Sequence, residues 1–92
     1  MIEETCLVLN TDYMLYKNQD DGQFHLLNTV EGNGFELNES SYDFLQCCNG
    51  STSVKEIFEH LSQLYNINQE TLGKDFDPLI EEWLKMEIIK KK

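Results

Sequence analysis

The 92-residue chain contains no arginine, and its seven lysines face 17 carboxylates, for a formal charge of −10. Arginine supplies the planar fork that reads phosphates and guanines, and nucleic-acid binders carry a basic footprint. The balance here is the reverse. It argues against DNA, RNA or an anionic membrane as partner and favours a basic or amphipathic peptide. Long apolar runs are missing as well, since none approaches the roughly 20 residues that span a bilayer. The opening MIEETCLVLN begins with acids, whereas a secretory signal begins with positive charge. A cytoplasmic setting is therefore expected, where thiols stay reduced. The odd count of three cysteines agrees, because a disulfide framework draws on an even number.

The chain is also poor in the residues of catalysis. Cys47 and Cys48 are adjacent, Cys6 is remote, and the two histidines, His25 and His60, belong to different elements. A structural zinc site wants four ligands, typically in pairs spaced C-x₂₋₄-C. Consecutive helical residues point about 100° apart, so neighbouring thiols on a helix do not share one ion. Core packing is the expectation for both, because free cysteine behaves as a small hydrophobe. Ser40, Ser41, Ser51 and Ser53 cluster near helix starts, where serine serves as a cap. The GNG stretch lacks the strand–loop–helix context of a phosphate cradle. No enzyme activity, no metal and no cofactor are expected.

What is present is enough for one modest core, with 40 % hydrophobic residues and aromatics spread along the chain. A single domain over residues 1–92 is expected. The first third reads as strands and turns: CLVL, YMLY, QFHLLN and FEL, separated by NTD, NQDDG and TVEGNG. Asp21-Gly22 suits positive φ in a hairpin. The expected sheet has three antiparallel strands, with a fourth if CLVL pairs.

After Leu37 the period becomes helical. Tyr42, Leu45 and Cys48 recur at i, i+3 and i+6, Phe44 and Cys47 widen the stripe, and Asn38 or Ser40 caps the start. Gly50 is expected at C′ of this helix. Ser53 and Glu56 have the spacing of a capping box, opening an amphipathic helix with Val54, Ile57, Phe58, Leu61, Leu64 and Tyr65 on one face. A third helix spans about 69 to 87, continuous through Pro78 because Leu72 and Phe76 stay in phase with the later stripe. Lys90, Lys91 and Lys92 read as a solvated basic tail. The sum is an α+β chain, a winged helix-turn-helix-like inventory of a three-stranded antiparallel sheet followed by three helices.

Two features have spare binding capacity. A strand that closes a meander has a free edge, and GFEL carries no proline and one guarding acid, Glu36. An extended peptide can add there, unless CLVL or a second copy covers the edge. On the third helix, stepping about 100° per residue from Leu72, the residues Phe76, Leu79, Trp83 and Met86 fall within about 40° and form the core stripe. Ile80 and Leu84 lie off it at about 80° and 120°, beside Asp77 and Glu81, as one acidic-apolar flank.

The series Leu37-Asn38, Phe44-Leu45, Gly50, Ser53-Val54, Asp75-Phe76 and Ile88-Ile89 resembles the PqqD-like family of peptide-binding domains, also called RiPP recognition elements. The resemblance covers about residues 13 to 89. Pro78 departs from the family pattern, as does Glu87, which stands where a glycine often precedes the last aliphatic pair. The resemblance implies a noncatalytic module, monomer or homodimer, that binds the leader of a ribosomally made precursor peptide. It delivers the precursor to a modifying enzyme: a radical SAM enzyme, a lasso-peptide protease or a cyclodehydratase. Carried onto this chain, it places the leader along Gly34, Phe35, Glu36 and Leu37 and against Asp77, Ile80, Glu81 and Leu84. The alternatives are a winged-helix transcription regulator, which the scarcity of lysine on the helices disfavours, and a structural subunit that dimerises through the sheet edge.

Overall fold

The computed structural model describes residues 4–92; residues 1–3, at the acidic opening, lie outside the described residues. Six strands and three helices follow in the order β1 (Cys6–Leu9), β2 (Tyr13–Lys17), β3 (Phe24–Asn28), β4 (Gly34–Leu37), α1 (Glu39–Gln46), β5 (Asn49–Ser53), α2 (Val54–Tyr65), α3 (Gln69–Lys85) and β6 (Ile89–Lys91). The fold is α+β, with two antiparallel three-stranded sheets ordered β2-β3-β4 and β5-β1-β6. No helix among the described residues is long and apolar enough to cross a membrane.

The β2-β3-β4 meander is fixed by two turns of one design. In each, an asparagine ends or follows a strand and a glycine stands four residues later: Asn18 with Gly22, and Asn28 with Gly32. The glycine N–H donates to the asparagine carbonyl at 2.8 Å in both. The asparagine Oδ1 accepts from the N–H two residues on, Asp20 at 2.9 Å and Val30 at 3.0 Å. Both glycines have positive φ, 74° and 79°, which a side chain would oppose. The turns set a register in which Leu15, Leu26 and Phe35 stand in one row and Tyr16, His25 and Glu36 in the next. The first row faces the core, where Leu26 is buried.

CLVL does not extend this meander. Its strand, β1, is the centre of the other sheet, between β5 and β6. The expected tail of lysines is partly strand: Lys90 and Lys91 belong to β6, opposite Val8 and Leu7. The first helix also ends sooner than its apolar spacing predicts, with Cys47 as C-cap. The Cys48 carbonyl accepts from Leu9 N–H at 3.0 Å, and that bond draws the chain into β5 alongside β1. Gly50 is accordingly no C′ residue but a strand residue, although its φ of 81° is positive. A Cβ there would lie 3.0 Å from Val8 Cγ2, so glycine is needed both for the backbone angle and for the close approach to β1.

The helices begin as their sequences dictate. Asn38 caps α1 by accepting from Ser41 N–H at 2.8 Å, and Ser53 and Glu56 form the reciprocal capping box of α2. α3 runs unbroken through Pro78. Its continuity follows from burial on both sides of the proline, with Leu72 and Phe76 before it and Ile80 and Trp83 after it. These residues close on Phe44, which is fully buried and stacks on Phe76 at 4.9 Å between ring centroids, with Trp83 at 5.9 Å. Removing such a ring costs about 3–5 kcal/mol, so this cluster fixes α3 against α1 and the meander.

α3 ends on a residue that strains the backbone. Met86 is the C-cap and Glu87, with φ of 60°, occupies the left-handed position that usually takes glycine. Glu87 N–H donates to the Leu84 carbonyl at 3.2 Å and Ile88 N–H to the Trp83 carbonyl at 2.9 Å, the paired bonds of a Schellman turn. Asn10 holds this corner from outside, its Nδ2 donating to the Glu87 carbonyl at 2.8 Å. The turn sends Ile88 and Ile89 back under the core, both buried.

Candidate functional site

The outer edge of β4 has no strand partner among the described residues. Its bonding pattern follows from the turn beside it. Asn28 N–H donates to the Asn33 carbonyl at 2.7 Å, so this pair is of the hydrogen-bonded kind. Alternation then assigns Leu26–Phe35 and Phe24–Leu37 to the same kind, with Leu27–Gly34 and His25–Glu36 between them. The N–H and C=O groups of Gly34 and Glu36 therefore point away from β3 and into solvent. Two donors and two acceptors stand unpaired along a short row.

Glycine at position 34 lets β4 lie close on β3. A Cβ at that position would come within 2.7 Å of Leu27 Cδ2 and 3.0 Å of the Leu26 carbonyl. The glycine thus also leaves the outer edge bare at its first residue.

Beside this edge lies a groove of about 310 Å³ between β4 and α3. Its floor is Leu26, Trp83 and Ile88, all buried members of the core. Phe35 and Leu37 form the strand wall, and Leu79 and Met86 the helix wall. Phe35 and Met86 are large apolar side chains left 41 % and 39 % exposed, an arrangement that calls for a partner more than scattered surface residues do. Glu36 and Glu82 are the charged residues of the lining, with the Glu36 side chain on the opposite face of β4 from Phe35 and Leu37. An apolar trough with few polar groups beside an open strand edge can hold an extended peptide by backbone pairing and alternate side-chain anchors.

The four strand residues singled out from sequence thus come together. Gly34, Phe35 and Glu36 are exposed on the free edge, Leu37 is half-buried, and the last three line the groove. The four helix residues do not join them. Asp77 and Glu81 are exposed, Leu84 is half-buried against the core, and none of them lines the groove. Ile80 is 1 % exposed and belongs to the core, so it offers no spare surface. The cause is the position of the stripe's centre. The buried set Leu72, Trp83, Phe76 and Ile80 centres near 40° on the helical wheel. The groove uses the opposite shoulder, Leu79 at about −20°, Met86 at about −40° and Glu82 at about −80°. On sequence alone Leu79 and Met86 fall in the core stripe and Glu82 in neither set. The available signal was a stripe too wide for one core contact, which has two shoulders.

The cysteines carry no competing site. Cys48 is buried in the core and its Sγ donates to the Phe44 carbonyl at 3.4 Å. Burial, with a smaller contribution from neighbouring Cys47, pushes the Cys48 thiol up to about 12. Burial and then Asp43 also raise Cys47. Both are held as thiols, the inert form, rather than as the nucleophilic thiolate. Among the described residues no group of three or more His, Cys, Asp or Glu side chains is placed to hold a metal ion.

No match was found among curated proteins or among solved structures. Residues 23–89 match the family model described as coenzyme PQQ synthesis protein D, PqqD. The matched span begins one residue before β3, takes in all three helices and both walls of the groove, and ends at Ile89. It covers well over half of the sequence, and on that match the chain belongs to the PqqD family.

Proposed function

We propose that this protein is a noncatalytic module that captures the leader of a ribosomally made precursor peptide and presents it to a peptide-modifying enzyme. The observation that carries the reading is the bare outer edge of β4 beside an apolar groove, in a chain of the PqqD family. The leader adds as a strand to β4, bonding the N–H and C=O groups of Gly34 and Glu36. Its alternate side chains descend between Phe35 and Leu37 on one side and Leu79 and Met86 on the other. This replaces the flank of Asp77, Ile80, Glu81 and Leu84 with the opposite shoulder of α3.

The energies are of the right size for reversible delivery. Four backbone hydrogen bonds contribute about 1 kcal/mol each, and one or two apolar anchors about 1.5–3 kcal/mol each. Ordering an extended peptide offsets part of that gain, leaving micromolar affinity, near −8 kcal/mol, as the upper range.

Titrating a fluorescently labelled leader from a precursor encoded beside this gene tests the reading by anisotropy. Saturable binding is expected, weakened at least about tenfold by Leu79→Asp or Met86→Asp, the loss of one apolar anchor. Glu81→Ala, outside the groove, leaves it unchanged. Failure of every neighbouring precursor to bind, with β4 instead joining two copies of the chain, overturns it.

A further inference from the structure

The strand register defines what a bound peptide meets at each position. Tyr16, His25 and Glu36 stand opposite one another across β2, β3 and β4, on the outer face of the sheet. Tyr16 and His25 are in contact, with ring centroids 6.1 Å apart. A strand added to β4 continues this row, because residues directly opposite in an antiparallel pair share a face. The peptide residue paired with Glu36 therefore lies beside its carboxylate, while the residues before and after it turn to the other face, toward the groove.

We infer that the occupant carries a lysine or arginine at the position paired with Glu36, flanked on each side by apolar residues that enter the groove. This deepens the peptide-binding reading and rests on it. Three observations support the pattern. Glu36 forms no salt bridge: the one ion pair among the described residues joins Lys74 and Glu70. On the groove side the charged lining residue is Glu82, also a carboxylate, so no position along the lining favours an acidic residue. The walls on either side, Phe35, Leu37, Leu79 and Met86, are apolar. The chain's charge of −10 adds a long-range attraction for a cationic segment, felt mainly as a faster encounter at low salt.

A random decapeptide library displayed on phage and selected against the full chain reads out this specificity whatever the leader's sequence. Selected peptides are expected to share an apolar–basic–apolar core. In synthetic peptides from that selection, replacing the central cation by serine weakens binding about two- to fivefold, the range of a cross-strand charge pair. The Glu36→Lys variant reverses the preference, so that aspartate or glutamate is selected at the same position and the apolar neighbours are retained. Peptides that lose binding with Met86→Asp but show no preference for a cation, before or after the reversal, overturn the charge inference and leave the peptide-binding reading standing. A selection that yields no binder, or only binders indifferent to both Met86→Asp and Leu79→Asp, overturns both.

Discussion

The two sheets of this protein treat their edges differently. In the β5-β1-β6 sheet, Ile88, Lys90 and Lys92 turn their backbone groups to β1, as the bonds Asn10 N–H to Ile88 and Lys92 N–H to Cys6 require. The outer edge of β6 is left to Ile89 and Lys91, in a strand of three residues with Lys90 and Lys91 exposed. A short, lysine-bearing edge is a common guard against unwanted strand pairing. The outer edge of β4 has no lysine, no proline and no bulge, and an apolar groove lies beside it. Of these two edges, one is guarded and the other is open. That contrast is the reason for setting the proposed leader site on β4.

Substituting the two close-packed glycines separates the sheets most sharply. Gly50→Ala puts a Cβ 3.0 Å from Val8 Cγ2 at a φ of 81° and is expected to lower stability by about 2–4 kcal/mol, from left-handed strain and overpacking together. Urea unfolding measures the loss, while leader affinity, corrected for the folded fraction, stays within about twofold because no β5 residue lines the groove. Gly34→Ala pushes on Leu27 Cδ2 and the Leu26 carbonyl. It costs about 1–3 kcal/mol and should also reduce leader affinity, since β4 itself must shift. Equal effects of the two changes on affinity would erase the distinction between the sheets.

A pair of prolines tests the edges themselves. The N–H groups of Glu36 and Lys91 both point outward, so Glu36→Pro and Lys91→Pro remove no ladder bond and suit edge-strand positions. Glu36→Pro takes away one donor and sets a ring where the leader would lie; binding should fall at least about tenfold with the fold retained. Lys91→Pro should leave binding unchanged. Circular dichroism checks the fold and anisotropy the affinity, and equal affinities for the two variants would place the leader elsewhere.

The same contrast explains which features the sequence makes legible. The meander is held by contacts between neighbours in sequence, and its turns announce themselves as asparagine and glycine four apart. Ser53 with Glu56, Asn38 and the phase of α3 through Pro78 are equally local and were readable. The β5-β1-β6 sheet joins segments from the start, middle and end of the chain. NGSTS has no apolar alternation and IKK a single apolar residue, so nothing within either stretch marks it as a strand. Their conformation comes from β1, whose N–H and C=O groups need partners. For the candidate site, the strand half is legible because an edge follows from topology. The helix half was not, because a period of 3.6 residues locates a stripe but not which shoulder meets the neighbouring strand.

Glu87 offers the smallest and most discriminating change. It closes α3 in a left-handed conformation that costs a residue with a Cβ about 1–2 kcal/mol, and glycine removes that strain at the expense of a more flexible unfolded chain. The Schellman bonds from Glu87 and Ile88 and the bond from Asn10 use backbone groups of the turn, so Glu87→Gly keeps all three. A net gain of about 0.5–1 kcal/mol is expected in urea unfolding. Met86 and Ile88, on either side of Glu87, line the groove. If the turn is already fixed by its hydrogen bonds, leader affinity will not change with Glu87→Gly. A weaker affinity alongside the higher stability would instead show that the strained glutamate helps to hold Met86 toward β4, making the end of α3 part of the binding apparatus rather than its support.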